Sequence, residues 1–150
     1  MTDVVDAITR SRMMSGIRSK NTRPEMTLRR LLHRMGFRYR LHSHAVPGRP
    51  DMVFPAYRAA VFVHGCFWHG HDCEFFRMPQ TRPNFWAKKI AQNRTRDIQV
   101  RQMLAEVGWR QLIVWECAIR GKGAAVEGKV AASIAAWLQT RQRFRQIRGR

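Results

Sequence analysis

The sequence contains few acidic side chains and few cysteines. Its 150 residues include 10 Asp and Glu against 28 Lys and Arg, which gives a net charge of +18 at pH 7. Such an excess attracts polyanions and repels cationic partners, so nucleic acid is the favoured partner, an anionic membrane comes second, and an enzyme of a neutral small molecule falls well behind. Three cysteines are an odd number that does not suit a disulfide framework, which favours a reducing, cytoplasmic setting.

Long apolar runs are also missing. No stretch approaches the roughly 18 consecutive apolar residues of a membrane-spanning helix, and residues 1–20 lack the apolar region of a secretory signal. We therefore expect neither a secretory signal nor a membrane-spanning helix, and we expect nucleic acid rather than a membrane as the partner. The length suits one domain with one core, which we predict for residues 1–150, with a basic N-terminal arm at 1–20 and a flexible Arg-rich tail at 139–150.

Helix and strand signals alternate along the chain. Thr22 can cap a helix with Pro24 in its first turn, and Glu25 stands where the partner of Thr22 in a capping box would be. The predicted elements are a helix from Thr22 to Gly36, a β-hairpin of strands 51–54 and 59–64, a helix at 84–107, a strand at 109–117 and a helix at 126–138. This order predicts a mixed α/β sandwich.

A cluster of cysteines, histidines and aromatic residues occupies residues 64–73. Together with a third cysteine near the last strand, it offers the donors of a tetrahedral structural zinc site. The candidate ligands are Cys66, Cys73, Cys117 and either His71 or His69. His71 is favoured because His71 and Cys73 point to the same side of an extended segment. A structural zinc would stabilise this loop, because it contributes about 10–16 kcal/mol of apparent binding free energy. The simpler alternative is that all three cysteines are buried and bind no metal.

Phe67 and Trp68 are neighbours in the same loop. In a regular strand one of the two would face the core, so a core position is one interpretation. In a basic protein the pair also suits insertion between base pairs, because stacking on a base contributes about 1–3 kcal/mol and opening a step costs a few kcal/mol. The residues alone leave both interpretations open.

Asp51 is the leading catalytic candidate. It begins the first hairpin strand and His64 ends the second, so the hairpin can bring them together near the backbone of Val63. A carboxylate and a backbone carbonyl suit Mg²⁺, while an Asx turn is the alternative. His69 can take a proton from water near neutral pH unless it binds zinc. Asp97, on the long polar helix, has the simple interpretation of a surface ion-pair partner.

These motifs together resemble the very short patch repair (Vsr) DNA mismatch endonucleases over about residues 8–120. The matching blocks are Met14, Thr22-x-Pro24-Glu25, PGRPD at 47–51, VFVHGCFWHGH at 61–71, the segment from Phe85 to Asp97, and GWRQLIVWEC at 108–117. The resemblance implies a restriction-endonuclease-like three-layer sandwich, with a central mixed β-sheet flanked by helices and a structural zinc. It also implies Mg²⁺-dependent nicking of one strand 5′ of the thymine in T·G mismatches left by deamination of 5-methylcytosine.

The resemblance further implies a role for individual residues. For catalysis these are Asp51 and the Val63 carbonyl on Mg²⁺, His69 as general base supported by Asp97, and His64 and Glu25 positioning phosphate and metal-bound waters. For zinc they are Cys66, His71, Cys73 and Cys117. For DNA they are Phe67, Trp68 and Met14 as an intercalating wedge, and Lys89 and Asn93 as readers of the mismatch.

Relatives imply a monomer that acts on double-stranded DNA in the bacterial cytoplasm, at the nucleoid, alongside a mismatch-repair matchmaker and a cytosine methyltransferase. The superfamily's acidic-x-lysine motif is absent, and Phe62-Val63-His64 stands in its place. Relatives often carry threonine at position 63, and valine is tolerated there if only the carbonyl binds metal. A non-catalytic zinc-stabilised DNA-binding module is the alternative function and an RNA-associated protein the next. The module assigns no task to Asp51, His64 and His69, and the composition alone would allow the RNA-associated protein.

Overall fold

A computed structural model describes residues 22–149, which contain one five-stranded mixed sheet and three helices. The helices are α1 (Arg23–Arg34), α2 (Pro83–Glu106) and α3 (Ala124–Leu138). The strands are β1 (Arg40–Leu41), β2 (Met52–Phe54), β3 (Ala59–His64), β4 (Arg110–Trp115) and β5 (Phe144–Ile147), side by side in that order. Met14 and the predicted arm at 1–20 lie outside the described residues.

The sheet separates two apolar cores. Strand β3 has strands on both sides, and its side chains alternate between the two faces, with Val61 in one core and Phe62 in the other. Helices α1 and α3 cover the first core, and α2 covers the second through Val100 and Leu104. This is the predicted α/β arrangement of a mixed sheet between helices.

The start of α1 confirms the predicted cap. The hydroxyl of Thr22 accepts a hydrogen bond from the backbone N–H of Glu25 at 3.4 Å, and Leu28 and Leu32 are fully buried on one face. The Glu25 side chain, in contrast, is 1 % exposed and forms an ion pair with Arg29 inside the molecule. This residue therefore belongs to a buried polar group as well as to the helix start.

The predicted hairpin is confirmed and places Asp51 at its open end. Strands β2 and β3 are antiparallel, with Met52 opposite Val61. The preceding PGRP turn packs closely against α2. Gly48 in this turn has φ +85°, and a Cβ there would lie 2.5 Å from a methyl of Val100, so the position requires glycine. The turn and the hairpin thus bring Asp51 towards α2.

The predicted flexible tail is wrong for residues 144–147. This segment forms β5, which pairs in parallel with β4, Gln111 opposite Phe144 and Val114 opposite Ile147. Its basic composition conceals the strand, because Phe144 and Ile147 are only half-buried and the two residues between them are exposed. Within residues 22–149 no helix is long and apolar enough to cross a membrane.

Candidate active site and metal centres

A cavity of about 470 Å³ lies between the open end of the hairpin, α2 and the loop after β3. Its walls bring together four of the candidate catalytic residues and the candidate carbonyl, namely Asp51, Val63, His64, His69 and Asp97. The other polar side chains on the walls are His42, His44, Arg49, Arg96 and Gln111. The cavity therefore combines an acid, imidazoles and guanidinium groups, which is a suitable environment for a phosphodiester.

Asp51 is buried and directly contacts the backbone of β3. Its Oδ2 accepts a hydrogen bond from the N–H of Val63 at 2.6 Å. Burial raises the pKa of Asp51 to about 8, the Glu25 carboxyl raises it as well, and the hydrogen bond from Val63 acts in the opposite direction. In the absence of a cation, Asp51 therefore holds a proton over much of the neutral range.

Glu25 and His42 form a polar cluster with Asp51. Oε2 of Glu25 lies 2.9 Å from Nη2 of Arg29 and 3.1 Å from Nε2 of His42. One ligand atom from each of Glu25, His42 and Asp51 lies within 4.8 Å of the others, so the three could share a metal ion. His42 adopts φ +47°, in the sparsely populated left-handed region. Sequence reasoning missed His42, which stands in a polar stretch without periodicity.

The second part of the cavity is a stacked pair of histidines. The rings of His64 and His69 are 3.7 Å apart and parallel within 2°. Nδ1 of His69 lies 2.6 Å from Oδ2 of Asp97 on α2. An ionised carboxylate only accepts hydrogen bonds, so Nδ1 of His69 is the donor in this contact, and Nε2 is the nitrogen left to face the cavity. Burial, together with the nearby His69 and His71, lowers the pKa of His64 well below its usual range.

The zinc candidates converge on a third centre. Ligand atoms of Cys66, His71, Cys73 and Cys117 all lie within 4.8 Å of one another. Nδ1 of His71 is 3.5 Å from Sγ of Cys117, and tetrahedral zinc with Zn–S about 2.3 Å and Zn–N about 2.0 Å places such atoms about 3.5 Å apart. Burial raises the pKa of the Cys66 thiol, so a cation is needed to favour the thiolate. The donor set fits zinc, with His71 rather than His69 as its histidine.

Trp115, at the end of β4, connects the zinc centre to the histidine pair. Its ring stacks on His71 at 4.0 Å and 8°, and it contacts His64 and His69 edge-on at 5.2 and 6.0 Å. Sequence reasoning placed Trp115 in a strand and gave it no part in the site. The spacing Trp115-Glu-Cys117 was the available signal, because it links this ring to a candidate ligand.

Phe67 and Trp68 form an aromatic surface with Trp86 at the start of α2. The ring of Trp86 lies 5.4 Å from Phe67 and 5.7 Å from Trp68. All three are half-buried, and neither Phe67 nor Trp68 belongs to the two apolar cores. The core interpretation of this pair is therefore not supported, and sequence reasoning missed Trp86.

The two candidate mismatch readers lie on α2 beside this surface. Nδ2 of Asn93 donates a hydrogen bond to the Trp68 carbonyl at 2.9 Å, so Asn93 holds the aromatic loop against the helix. Lys89, one turn earlier, is exposed. Asn93 therefore faces the aromatic loop, and Lys89 is accessible from solvent.

A basic α/β domain with a buried acid beside two histidines and an adjacent aromatic surface has the features of a nuclease. Residues 2–75 match the family described as DNA mismatch endonuclease Vsr. A type II nicking enzyme of Xanthomonas oryzae is 48 % identical over 83 % of this chain and 91 % of its own length. The DNA mismatch endonuclease Vsr of Escherichia coli K12 is 43 % identical over 92 % and 88 %, and a type II nicking enzyme of Neisseria meningitidis is 41 % identical over 81 % and 87 %.

This chain belongs to the Vsr family of DNA mismatch endonucleases. The resemblance stated from the motifs is thereby confirmed over most of the chain, and with it the endonuclease class of the protein.

Proposed function

We propose that this endonuclease nicks one DNA strand 5′ of the thymine in a T·G mismatch, in a reaction that requires Mg²⁺. The observation that carries the proposal is one cavity lined both by Asp51, at the end of the hairpin, and by the His69–Asp97 pair, next to an aromatic surface. A metal ligand and a general base are thus available to the same phosphodiester.

Asp51 and the Val63 carbonyl are the proposed Mg²⁺ ligands. In a β-strand the N–H and C=O of one residue point to the same side of the strand. The Val63 carbonyl therefore faces the side on which its N–H contacts Asp51. Because the carbonyl belongs to the backbone, valine serves there as well as threonine. Bound Mg²⁺ would polarise the phosphate and stabilise the leaving oxygen.

His69 is the proposed general base. Its Nε2 takes the proton of the attacking water, while Asp97 orients the ring and stabilises the imidazolium that results. His64 stays neutral beside it, because burial disfavours a second positive charge in the stack. In this neutral form His64 positions the phosphate. Glu25, whose carboxylate lies within 4.8 Å of ligand atoms of His42 and Asp51, positions water molecules around the metal.

The aromatic surface is the proposed probe for the mismatch. The net charge of +18 attracts the duplex, and Phe67 and Trp68 then insert where the base stack is weakened. A T·G pair costs less to disrupt than a matched pair, so selection is in part a test of deformation energy. Lys89 and Asn93 read the bases beside the wedge. Met14 adds to the wedge by resemblance alone.

Zinc at Cys66, His71, Cys73 and Cys117 is the proposed structural metal. It would fix the loop that carries both the wedge and His69. The action as a monomer in the bacterial cytoplasm at the nucleoid, with a mismatch-repair matchmaker and a cytosine methyltransferase, extends the proposal on resemblance only.

A nicking assay with labelled matched and T·G duplexes tests the proposal. Nicking is expected only for the mismatch and only with Mg²⁺, and Asp51→Ala is expected to bind the mismatch and leave it intact. Glu106→Gln, an exposed carboxyl at the end of α2, is the matched control. Full nicking by Asp51→Ala removes Asp51 from the mechanism. Mismatch binding without nicking by the wild-type protein supports the non-catalytic module instead.

A further inference from the structure

The segment that follows α3 makes contacts with the zinc centre that its basic composition does not suggest. We call residues 144–149, which are β5 and the two residues after it, the C-terminal strap. Three of its residues contact the centre or its neighbours. Oε1 of Gln146 accepts a hydrogen bond from the indole N–H of Trp115 at 2.7 Å. This bond holds the ring that stacks on His71.

Arg148 holds the loop side of the zinc centre. Its Nη1 lies 2.6 Å from Oδ1 of Asp72, and its Nη2 donates to the Asp72 backbone carbonyl at 3.3 Å. Asp72 stands between the candidate ligands His71 and Cys73. Residues 65–82, which include the loop, contain neither helix nor strand, so an anchor outside the loop limits how far it can move.

Gly149 holds the opposite side of the centre. Its N–H donates a hydrogen bond to Sγ of Cys117 at 3.3 Å. A Cβ at this position would overlap the Cys117 carbonyl oxygen, so only glycine permits this close approach of the two backbones. An N–H that points at a thiolate sulfur stabilises the negative charge that the sulfur carries as a ligand.

We propose that the C-terminal strap is a positioning element of the zinc centre. It joins the two parts of the ligand set, Cys117 after β4 and the loop ligands after β3. Through Trp115 it also holds the histidine pair. The inference rests on the proposed structural zinc and extends it to residues that no ligand motif includes. Outer partners of metal ligands commonly change metal affinity by about 10–100-fold when they are mutated.

The test compares zinc release from full-length Arg148→Ala and Arg145→Ala. Both variants remove one positive charge from the same segment, but Arg145 is exposed in the middle of β5 and no hydrogen bond or ion pair of its side chain is seen in the described chain. Zinc content is measured first, and then the rate of zinc transfer to an excess of a colorimetric chelator. Release from Arg148→Ala is expected to be about tenfold faster, and release from Arg145→Ala to match the wild-type protein.

Two further measurements separate positioning from a general loss of stability. Asp72→Ala removes the same contact from the loop side, together with the 3.6 Å contact of Asp72 Oδ1 with Nε2 of His71. The Arg148→Ala/Asp72→Ala double variant is therefore expected to release zinc no faster than Asp72→Ala alone. In the nicking assay both arginine variants are expected to raise KM equally through the lost charge, while only Arg148→Ala lowers kcat.

The outcomes distinguish the two proposals. A wild-type protein that contains no zinc refutes the proposed structural metal, whatever the strap does. Zinc in the wild-type protein with equal release from Arg148→Ala and Arg145→Ala refutes the strap alone. Additive effects of Asp72→Ala and Arg148→Ala also refute it, because the two residues would then act independently.

Discussion

Asp51→Asn is expected to stabilise the protein in the absence of Mg²⁺ while abolishing nicking. The asparagine has nearly the same shape, and its Oδ1 can accept the hydrogen bond that Asp51 accepts from Val63. What it removes is a carboxyl group whose ionised form is disfavoured by burial. The native state therefore opposes ionisation of this group, whereas the unfolded chain permits it.

The magnitude follows from the two pKa values. The pKa of Asp51 rises from 3.8 to about 8 on folding, so the native state binds more protons than the unfolded state between these pH values. Stability of the wild-type protein should therefore fall relative to Asp51→Asn as the pH rises through this window. At pH 8 the difference should reach the order of a few kcal/mol, a large share of the roughly 5–15 kcal/mol that holds a domain folded.

Urea unfolding followed by tryptophan fluorescence measures this difference, with zinc-loaded proteins in buffer without Mg²⁺ at pH 5, 6.5 and 8. The gain should be largest at pH 8 and smallest at pH 5, and Glu106→Gln should show no such trend. Adding Mg²⁺ should stabilise the wild-type protein and leave Asp51→Asn unchanged. Equal midpoints at every pH, or a variant less stable at pH 8, would refute the reasoning.

Three shorter predictions concern the reaction. At subsaturating Mg²⁺, nicking should rise with pH through about 8, because Asp51 must lose its proton to bind the metal; a pH profile repeated at saturating Mg²⁺ should move to lower pH. Asp97→Asn should lower kcat by about 100-fold or more while mismatch binding persists, since His69 loses its orienting carboxylate; unchanged single-turnover rates would argue against this pair. Trp86→Ala should weaken binding to mismatched duplex in a gel-shift assay, whereas the more exposed Phe85→Ala should not; equal losses would deny Trp86 a specific role.

The parts of the fold that could be predicted have local signals. The cap of α1 and its buried leucines, the hairpin and α2 depend on residues a few positions apart, such as Thr22 with Glu25. Strand β5 has no such signal. Its partner β4 lies about 30 residues earlier. The backbone groups on the outer edge of β4 require hydrogen-bond partners, and only this tertiary requirement reveals β5 as a strand. The two-residue strand β1 is too short for a pattern.

The same distinction applies to the site. The zinc ligands could be proposed because three of the four donors stand within eight residues and three of them are the chain's cysteines. His42 could not, because it contacts the site only through tertiary structure, against Glu25. Trp115 had only its spacing to Cys117 as a signal, because its contact with His71 also depends on tertiary structure. Their types, a histidine in a polar turn and a tryptophan in a strand, are ordinary when seen alone.

The loop after β3 places recognition and cleavage within a few residues of each other. It carries the proposed wedge residues Phe67 and Trp68 directly before the proposed base His69, and the proposed zinc ligands Cys66 and His71 enclose them on both sides. A displacement of the wedge therefore displaces the base by a comparable distance, and a misplacement of about 1 Å is enough to reduce rates by about 100-fold. A duplex that does not accept the wedge would leave the base out of position. On the proposed roles, the mismatch would be tested by the same loop that carries the base.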